Sequence, residues 1–144
     1  MVTAWIGRSS RCCLVATACF VGGGFALANQ GGTGATPAIP ANSVAKFDTS
    51  TNTWSALKQG DGNGANQGVF ALAVIGNNLF VAGAFSSVNN GGTGATPAIT
   101  ANKIARFDTV NNTWSALSQG NGNGVSDYNP GGGHPAVARS MRWL

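Results

Sequence analysis

The chain has no glutamate, one tyrosine and one histidine, and only 8% of its 144 residues carry charge. A single histidine excludes a multi-histidine metal centre. With no glutamate, any pair of catalytic carboxyls of the kind a two-carboxylate hydrolase uses must come from four aspartates. Membrane-length apolar runs of about 20 residues are also lacking. The nearest approach, around residues 12–28, is interrupted by Gly22-Gly23-Gly24. Scarce charge does not make the chain a disordered linker, because 43% of it is hydrophobic, enough for one modest core.

The net charge of +4 raises the question of nucleic acid, and the positions of the charges answer it. Arg8, Arg11, Arg139 and Arg142 lie in the two ends. Between them Lys46, Lys58, Lys103 and Arg106 balance Asp48, Asp61, Asp108 and Asp127. A nucleic-acid binder needs its cations gathered on one face to neutralise phosphates. The net charge belongs to the flanks, and no nucleic-acid partner is expected.

Glycine is abundant, at 22 residues. Short apolar runs broken by Gly and Asn predict many short strands joined by tight turns, an all-β chain. The chain also repeats itself. "GGTGATPAIPANSVAKFDTSTNTWSALKQGDGNG" (31–64) matches "GGTGATPAITANKIARFDTVNNTWSALSQGNGNG" (91–124), with eight of 34 positions differing and no gap at a period of sixty. Fixed-period similarity marks an array whose units bury their faces on one another.

Each unit has a readable order. "VFALAVIG" (69–76) is an apolar run of strand length ending in Gly76-Asn77-Asn78, residues that accept a hairpin turn cheaply. "LFVAGAF" (79–85) returns, with Gly83 expected where a neighbour comes too close for a Cβ. A long polar loop, 86–102, follows. "KIARFD" (103–108) alternates as a strand with two unlike faces, "TVNN" turns, and "TWSAL" (113–117) is a fourth strand.

These segments carry a resemblance. "FVGGGF" with "VAKFDTSTNTWSAL", and "FVAGAF" with "IARFDTVNNTWSAL", resemble the kelch-type, galactose-oxidase-like β-propeller blade across about residues 12–117. Kelch units run about 50 residues, so a period of sixty implies a longer loop, for which 86–102 is the obvious place. One departure is Ala82-Gly83-Ala84 in place of the family's glycine doublet. Other repeat families with "GG-F" and "W-L" cores, among them fungal cell-polarity marker proteins, share the pattern. The resemblance implies about two four-stranded antiparallel blades of an incomplete propeller. The division is a non-repeat flank (1–11), a first blade-like repeat with a degenerate first strand (12–57) and a Gly/Asn-rich inter-blade loop (58–68). A second repeat (69–117) and a loop with a divergent tail (118–144) complete it.

"CLVATACFVGGGFALANQ" admits two readings. Arg8 and Arg11 before an apolar stretch ending in Ala26-Leu27-Ala28 fit a secretion signal. At an offset of sixty, however, Phe20 lies under Phe80, Gly23 under Gly83, Phe25 under Phe85 and Asn29 under Asn89, and a signal peptide has no reason to match a strand in register. Upstream of Phe20 the match fails, and after Gly124 "NPGGGHPAVARSMRWL" replaces the expected repeat. Both ends read as interruptions of a longer array, which makes a fragment the expectation.

Several motifs have plainer readings than the chemistry they first bring to mind. "QGDGNGAN" (59–66) has one carboxylate, Asp61, where calcium wants several, and is expected to be a turn between blades. "GGTGATPAI" lacks the Lys-Ser/Thr of a phosphate cradle and reads as a loop stiffened by Pro37 and Pro97. Cys12, Cys13 and Cys19 lie outside the repeated segment and are odd in number, which implies no closed disulfide framework; buried or incidental thiols are expected. Asp48 and Asp108 have no partner acid and are expected to hydrogen-bond the turn that follows. Trp54 and Trp114 are expected to pack between blades. Asn111-Asn112-Thr113 is a glycosylation sequon without a counterpart at Thr51.

Galactose-oxidase-like copper chemistry needs Tyr, His and Cys ligands, whereas Tyr128 and His134 are single residues in the tail. No residue is therefore assigned a catalytic, cofactor-binding or metal-ligating role. The expected function is a non-catalytic binding or surface scaffold, contacting a protein or glycan through loops such as 86–102. The alternative is a fragment of a secreted propeller enzyme whose catalytic residues lie elsewhere. Low charge and Asn/Thr/Gly richness suit an extracellular or cell-surface setting. Open blade edges would invite self-association, leaving Val69, Phe70, Leu72, Leu79, Phe80, Phe107 and Trp114 half covered.

Overall fold

Alternating apolar residues and glycine- or asparagine-bearing turns produce strands throughout the computed structural model, which describes residues 2–6 and 10–126. In chain order these are β1 (Val2–Ile6), β2 (Ser10–Val15), β3 (Ala18–Gly22), β4 (Leu27–Ala28), β5 (Ile39–Pro40), β6 (Val44–Asp48), β7 (Thr53–Ala56) and β8 (Lys58–Gln59). They continue as β9 (Gly62–Ala65), β10 (Val69–Ile75), β11 (Asn78–Gly83), β12 (Ser87–Asn90) and β13 (Ile99–Thr100). The last are β14 (Ile104–Asp108), β15 (Thr113–Ala116), β16 (Ser118–Gln119) and β17 (Gly122–Asn123). No helix occurs among the described residues, so none there is long and apolar enough to cross a membrane.

Two antiparallel meanders form the frame. The second unit is the four-stranded sheet β10-β11-β14-β15, and the first is β2-β3-β6-β7 with β1 added at the edge of β2. None of the sheets closes on itself. The first unit's opening hairpin is built despite its dissimilar sequence. Cys13 pairs with Phe20 and Val15 with Ala18, as Ala73 pairs with Phe80 and Ile75 with Asn78. The stretch that admits a signal-peptide reading is thus two paired strands. The 1–11 flank also contributes β1 and the start of β2.

The repeat extends to the backbone. Sixteen described residues, seven non-glycine and nine glycine, take positive φ, and they form eight pairs spaced sixty apart. Asn29 and Asn89 (54° and 55°), Ser43 and Lys103 (63° and 64°) and Asn52 and Asn112 (54° and 52°) are three of them. At the first hairpin turn Ala16 holds a φ of 51°, where Gly76 takes 57° in the second unit. For alanine that conformation costs about 1–2 kcal/mol, which the paired strands on either side offset.

The segments expected to be loops are partly sheet. Residues 58–68 supply β8 and β9, and 86–102 supply β12 and β13; together they form the four-stranded sheet β13-β12-β9-β8. This sheet ties the units together, because β9 follows the first meander while β12 lies within the second unit. Val88 pairs with Ala65 and Asn90 with Asn63. Sequence alone hid these strands because β8 and β13 are two residues long, too short for alternation to mark them, and β9 and β12 are rich in Gly and Asn, which strand propensity disfavours.

The core lies between the two meanders. Phe20, Val44 and Leu57 of the first unit meet Leu72, Val74, Leu79, Val81, Phe107 and Trp114 of the second, all buried. Val69, Leu72, Leu79, Phe107 and Trp114 are therefore covered, contrary to the expectation that open edges leave them half exposed. The first unit covers that face of the second. The expectation holds for Phe70, which is 57% exposed, and for the half-buried Phe80.

Gly83 meets the need read from the sequence. A Cβ there would collide with the carbonyl oxygen of Gly68 and lie 2.9 Å from Val69 Cα. β10 carries an irregularity in its pairing with β11 at this point, between Val69 and Ala71.

Candidate functional site

Among the described residues, the aspartate side chains are engaged by turns and loops. Asp48 Oδ1 accepts hydrogen bonds from Ser50 N (2.9 Å), Ser50 Oγ (2.6 Å) and Thr51 N (3.3 Å). Asp108 Oδ1 accepts from Val110 N (2.9 Å) and Asn111 N (3.0 Å), and Asp108 Oδ2 from Asn111 Nδ2 (3.0 Å). Donation from Ser50, side chain first, holds the Asp48 carboxyl below the ordinary aspartate range. Donation from Asn111, backbone first, does the same for Asp108. Both carboxylates cap the β6–β7 and β14–β15 turns. The sequon residue Asn111 is itself part of the second turn.

Asp61 accepts from Thr93 Oγ1, which links the 58–68 segment to the 91–97 loop. Asn63 Oδ1 accepts from Asn42 N (2.8 Å), so the oxygens that faintly resemble a calcium loop already have protein partners. Among the described residues no three His, Cys, Asp or Glu side chains come together. Tyr128 and His134, the single tyrosine and histidine of the chain, lie outside the described residues, as does Asp127.

The expectation of buried or incidental thiols is corrected for Cys12 and Cys19 and holds for Cys13. Cys12 and Cys19 form a disulfide across the β2–β3 hairpin, with Cα atoms 6.3 Å apart, while Cys13 is free and buried. In the register Cys12 faces Val21 and Cys19 faces Leu14, so the two cysteines are diagonal neighbours. Only the hairpin pairing reveals that proximity.

Trp114 packs across the junction of the two units, as expected. Its ring lies 4.9 Å from that of Phe107. Its indole N–H donates to Leu57 O (3.0 Å), and its backbone N–H donates to Gln59 Oε1 (2.7 Å). Trp54 repeats the ring contact, 5.0 Å from Phe47, but is half-buried. The unit that would cover it has no counterpart in the described chain.

Two surfaces remain as candidates for binding. One is the pair of loops at 31–38 and 91–98, identical in sequence and largely exposed. Each is held by an asparagine: Asn29 Nδ2 donates to Thr36 O (2.7 Å) and Pro37 O (3.2 Å), and Asn89 Nδ2 to Thr96 O (2.8 Å) and Pro97 O (3.3 Å). The other is the pair of open faces, one on each unit. On the second unit Ile104 and Leu117 are half-buried and Val125 is 58% exposed, where Val44, Leu57 and Ala65 are buried in the first. Neither surface is a closed pocket with convergent catalytic groups.

Comparisons with protein-family models, curated proteins and solved structures return no match.

Proposed function

We propose that the chain is a pair of kelch-type β-propeller blades serving as a non-catalytic binding scaffold, presenting the 31–38 and 91–98 loops to an extracellular protein or glycan. The observation that carries this reading is the asparagine clamp. An identical exposed loop appears twice, each time pinned by two side-chain bonds to backbone carbonyls, which lowers the entropy lost when a partner orders it. Two equivalent loops on one rigid frame also permit two-point attachment. The blade reading is supported by the four-stranded meander, the period of sixty and Trp114 at the junction. The scaffold reading is supported by carboxylates that serve turns.

The test is an array of glycans and extracellular proteins probed with the labelled chain. Retention is expected on at least one class and must vanish when residues 31–37 and 91–97 are replaced by Gly/Ser spacers that leave the thermal melt intact. Retention that survives the replacement, or no retention at all, refutes the scaffold role. The blade reading has its own test in tandem chains carrying several copies of residues 61–120. Closure at about 4–8 units is expected to give a compact ring in small-angle scattering. An open superhelix that lengthens with every added unit refutes it.

A further inference from the structure

The four-stranded sheet β13-β12-β9-β8 has a two-stranded relic at each end of the described chain. β4-β5 stands where β12-β13 would lie one period earlier, and β16-β17 stands where β8-β9 would lie one period later. Each relic is one half of the complete sheet, and the halves are complementary. β9 pairs with β12 through Ala65↔Val88 and Asn63↔Asn90. Shifted by sixty, the same register would join β17 to β4 through Val125↔Ala28 and Asn123↔Gln30.

The meanders show the same complementarity. The second unit leaves Phe80, Ile104 and Leu117 half-buried where Phe20, Val44 and Leu57 are buried in the first. On its outer side the first unit leaves Val21, Phe47 and Trp54 half-buried where Val81, Phe107 and Trp114 are buried in the second. These positions keep their apolar character on both open faces, and on the first unit's outer face the Cys12–Cys19 disulfide stands where the covered face has Leu72 and Leu79. Leu117 and Gln119, the counterparts of the acceptor residues Leu57 and Gln59, are identical to them.

We propose that copies of this chain associate head to tail, the second unit of one copy receiving the outer face of the first unit of the next. β17 then extends the β4-β5 edge by strand addition. Trp54 of the incoming copy donates its indole N–H to Leu117 O and its backbone N–H to Gln119 Oε1, as Trp114 does within the chain. Thr33 donates to Asn121 as Thr93 donates to Asp61. The contact joins unlike surfaces, so it builds rings or open filaments rather than a two-fold dimer. The inference rests on the reading of the two units as equivalent blades.

Light scattering on the full chain across a wide concentration range reads the assembly. Particles at twice the 14.4 kDa chain mass or more are expected. Trp54→Arg blocks one face and Leu117→Arg the other, so each variant alone is expected to remain at 14.4 kDa. Mixed, they are expected to form one capped species at twice that mass, because each supplies the intact face that the other lacks. Near-UV circular dichroism from the Phe107–Trp114 pair checks that both variants are folded. If either is not, Gln119→Ala and Thr33→Val decide the matter by weakening wild-type association about fivefold each, the loss of one hydrogen bond. A folded wild-type monomer overturns the assembly and leaves the blade reading standing. A variant that still associates alone, a mixture that stays monomeric, or unaltered affinity in the hydrogen-bond variants also overturns it. A wild-type chain without a cooperative melt overturns both readings.

Discussion

Replacing Trp114 with alanine tests how the two units hold together. The side chain is 3% exposed, packed on Phe107 and bonded through its indole to Leu57 O. A large aromatic buries about 150–250 Å², which at about 25 cal/mol per Å² gives an upper bound of roughly 4–6 kcal/mol. Truncation of such a residue costs about 3–5 kcal/mol. For a domain of this size each kcal/mol lowers Tm by roughly 3–4 °C, so a fall of about 10–20 °C is expected. Trp114→Phe keeps most of the ring and removes the donor to Leu57, and it is expected to cost about 1–2 kcal/mol. Trp54→Ala is the internal control: the same residue in the same strand of the first unit, half-buried, with an expected loss less than half as large. The assay is a thermal melt followed by far-UV circular dichroism, at dilution where the chain is monomeric. Equal losses for Trp114→Ala and Trp54→Ala would refute the reasoning, since the covering unit would then contribute nothing.

Two further outcomes follow from local geometry. Asp48 and Asp108 titrate below the ordinary aspartate value in the folded chain. Their stabilising contribution is therefore complete above about pH 4 and is lost as pH falls through the depressed folded values. An Asp48→Ala/Asp108→Ala variant is expected to lose part of the acid-side fall in Tm, and an unchanged slope in pH-dependent melts counts against the turn-capping role. Gly83→Ala places a Cβ against the backbone of Gly68 and Val69 and is expected to cost about 1–3 kcal/mol by overpacking; a neutral result by denaturant titration would show that β10 can move aside.

Much of the architecture was legible in the residues. "VFALAVIG", "LFVAGAF", "KIARFD" and "TWSAL" are the four strands of the second meander to within a residue or two. Asp108, Gly83 and Trp114 have the local roles their sequence contexts imply. These readings succeeded because each depends on short-range chemistry: alternation, a turn that needs an acceptor, a strand that needs a missing Cβ. The match of Phe20, Gly23 and Phe25 to the second unit likewise located β3 from similarity alone.

The strands β8, β9, β12 and β13 escaped because their pairing, not their composition, makes them strands; "GNGA" has almost no side chain with which to announce one. The Cys12–Cys19 disulfide escaped because seven residues of separation mean nothing until a hairpin folds them back. The repeat, its turns and the strands of each meander are encoded within one unit, so the residues alone specify them. Which face of each unit is covered is set by packing between units. Leu57 and Leu117 are the same residue in the same context, one 3% exposed and the other half-buried, because burial depends on the neighbour and not on the residue.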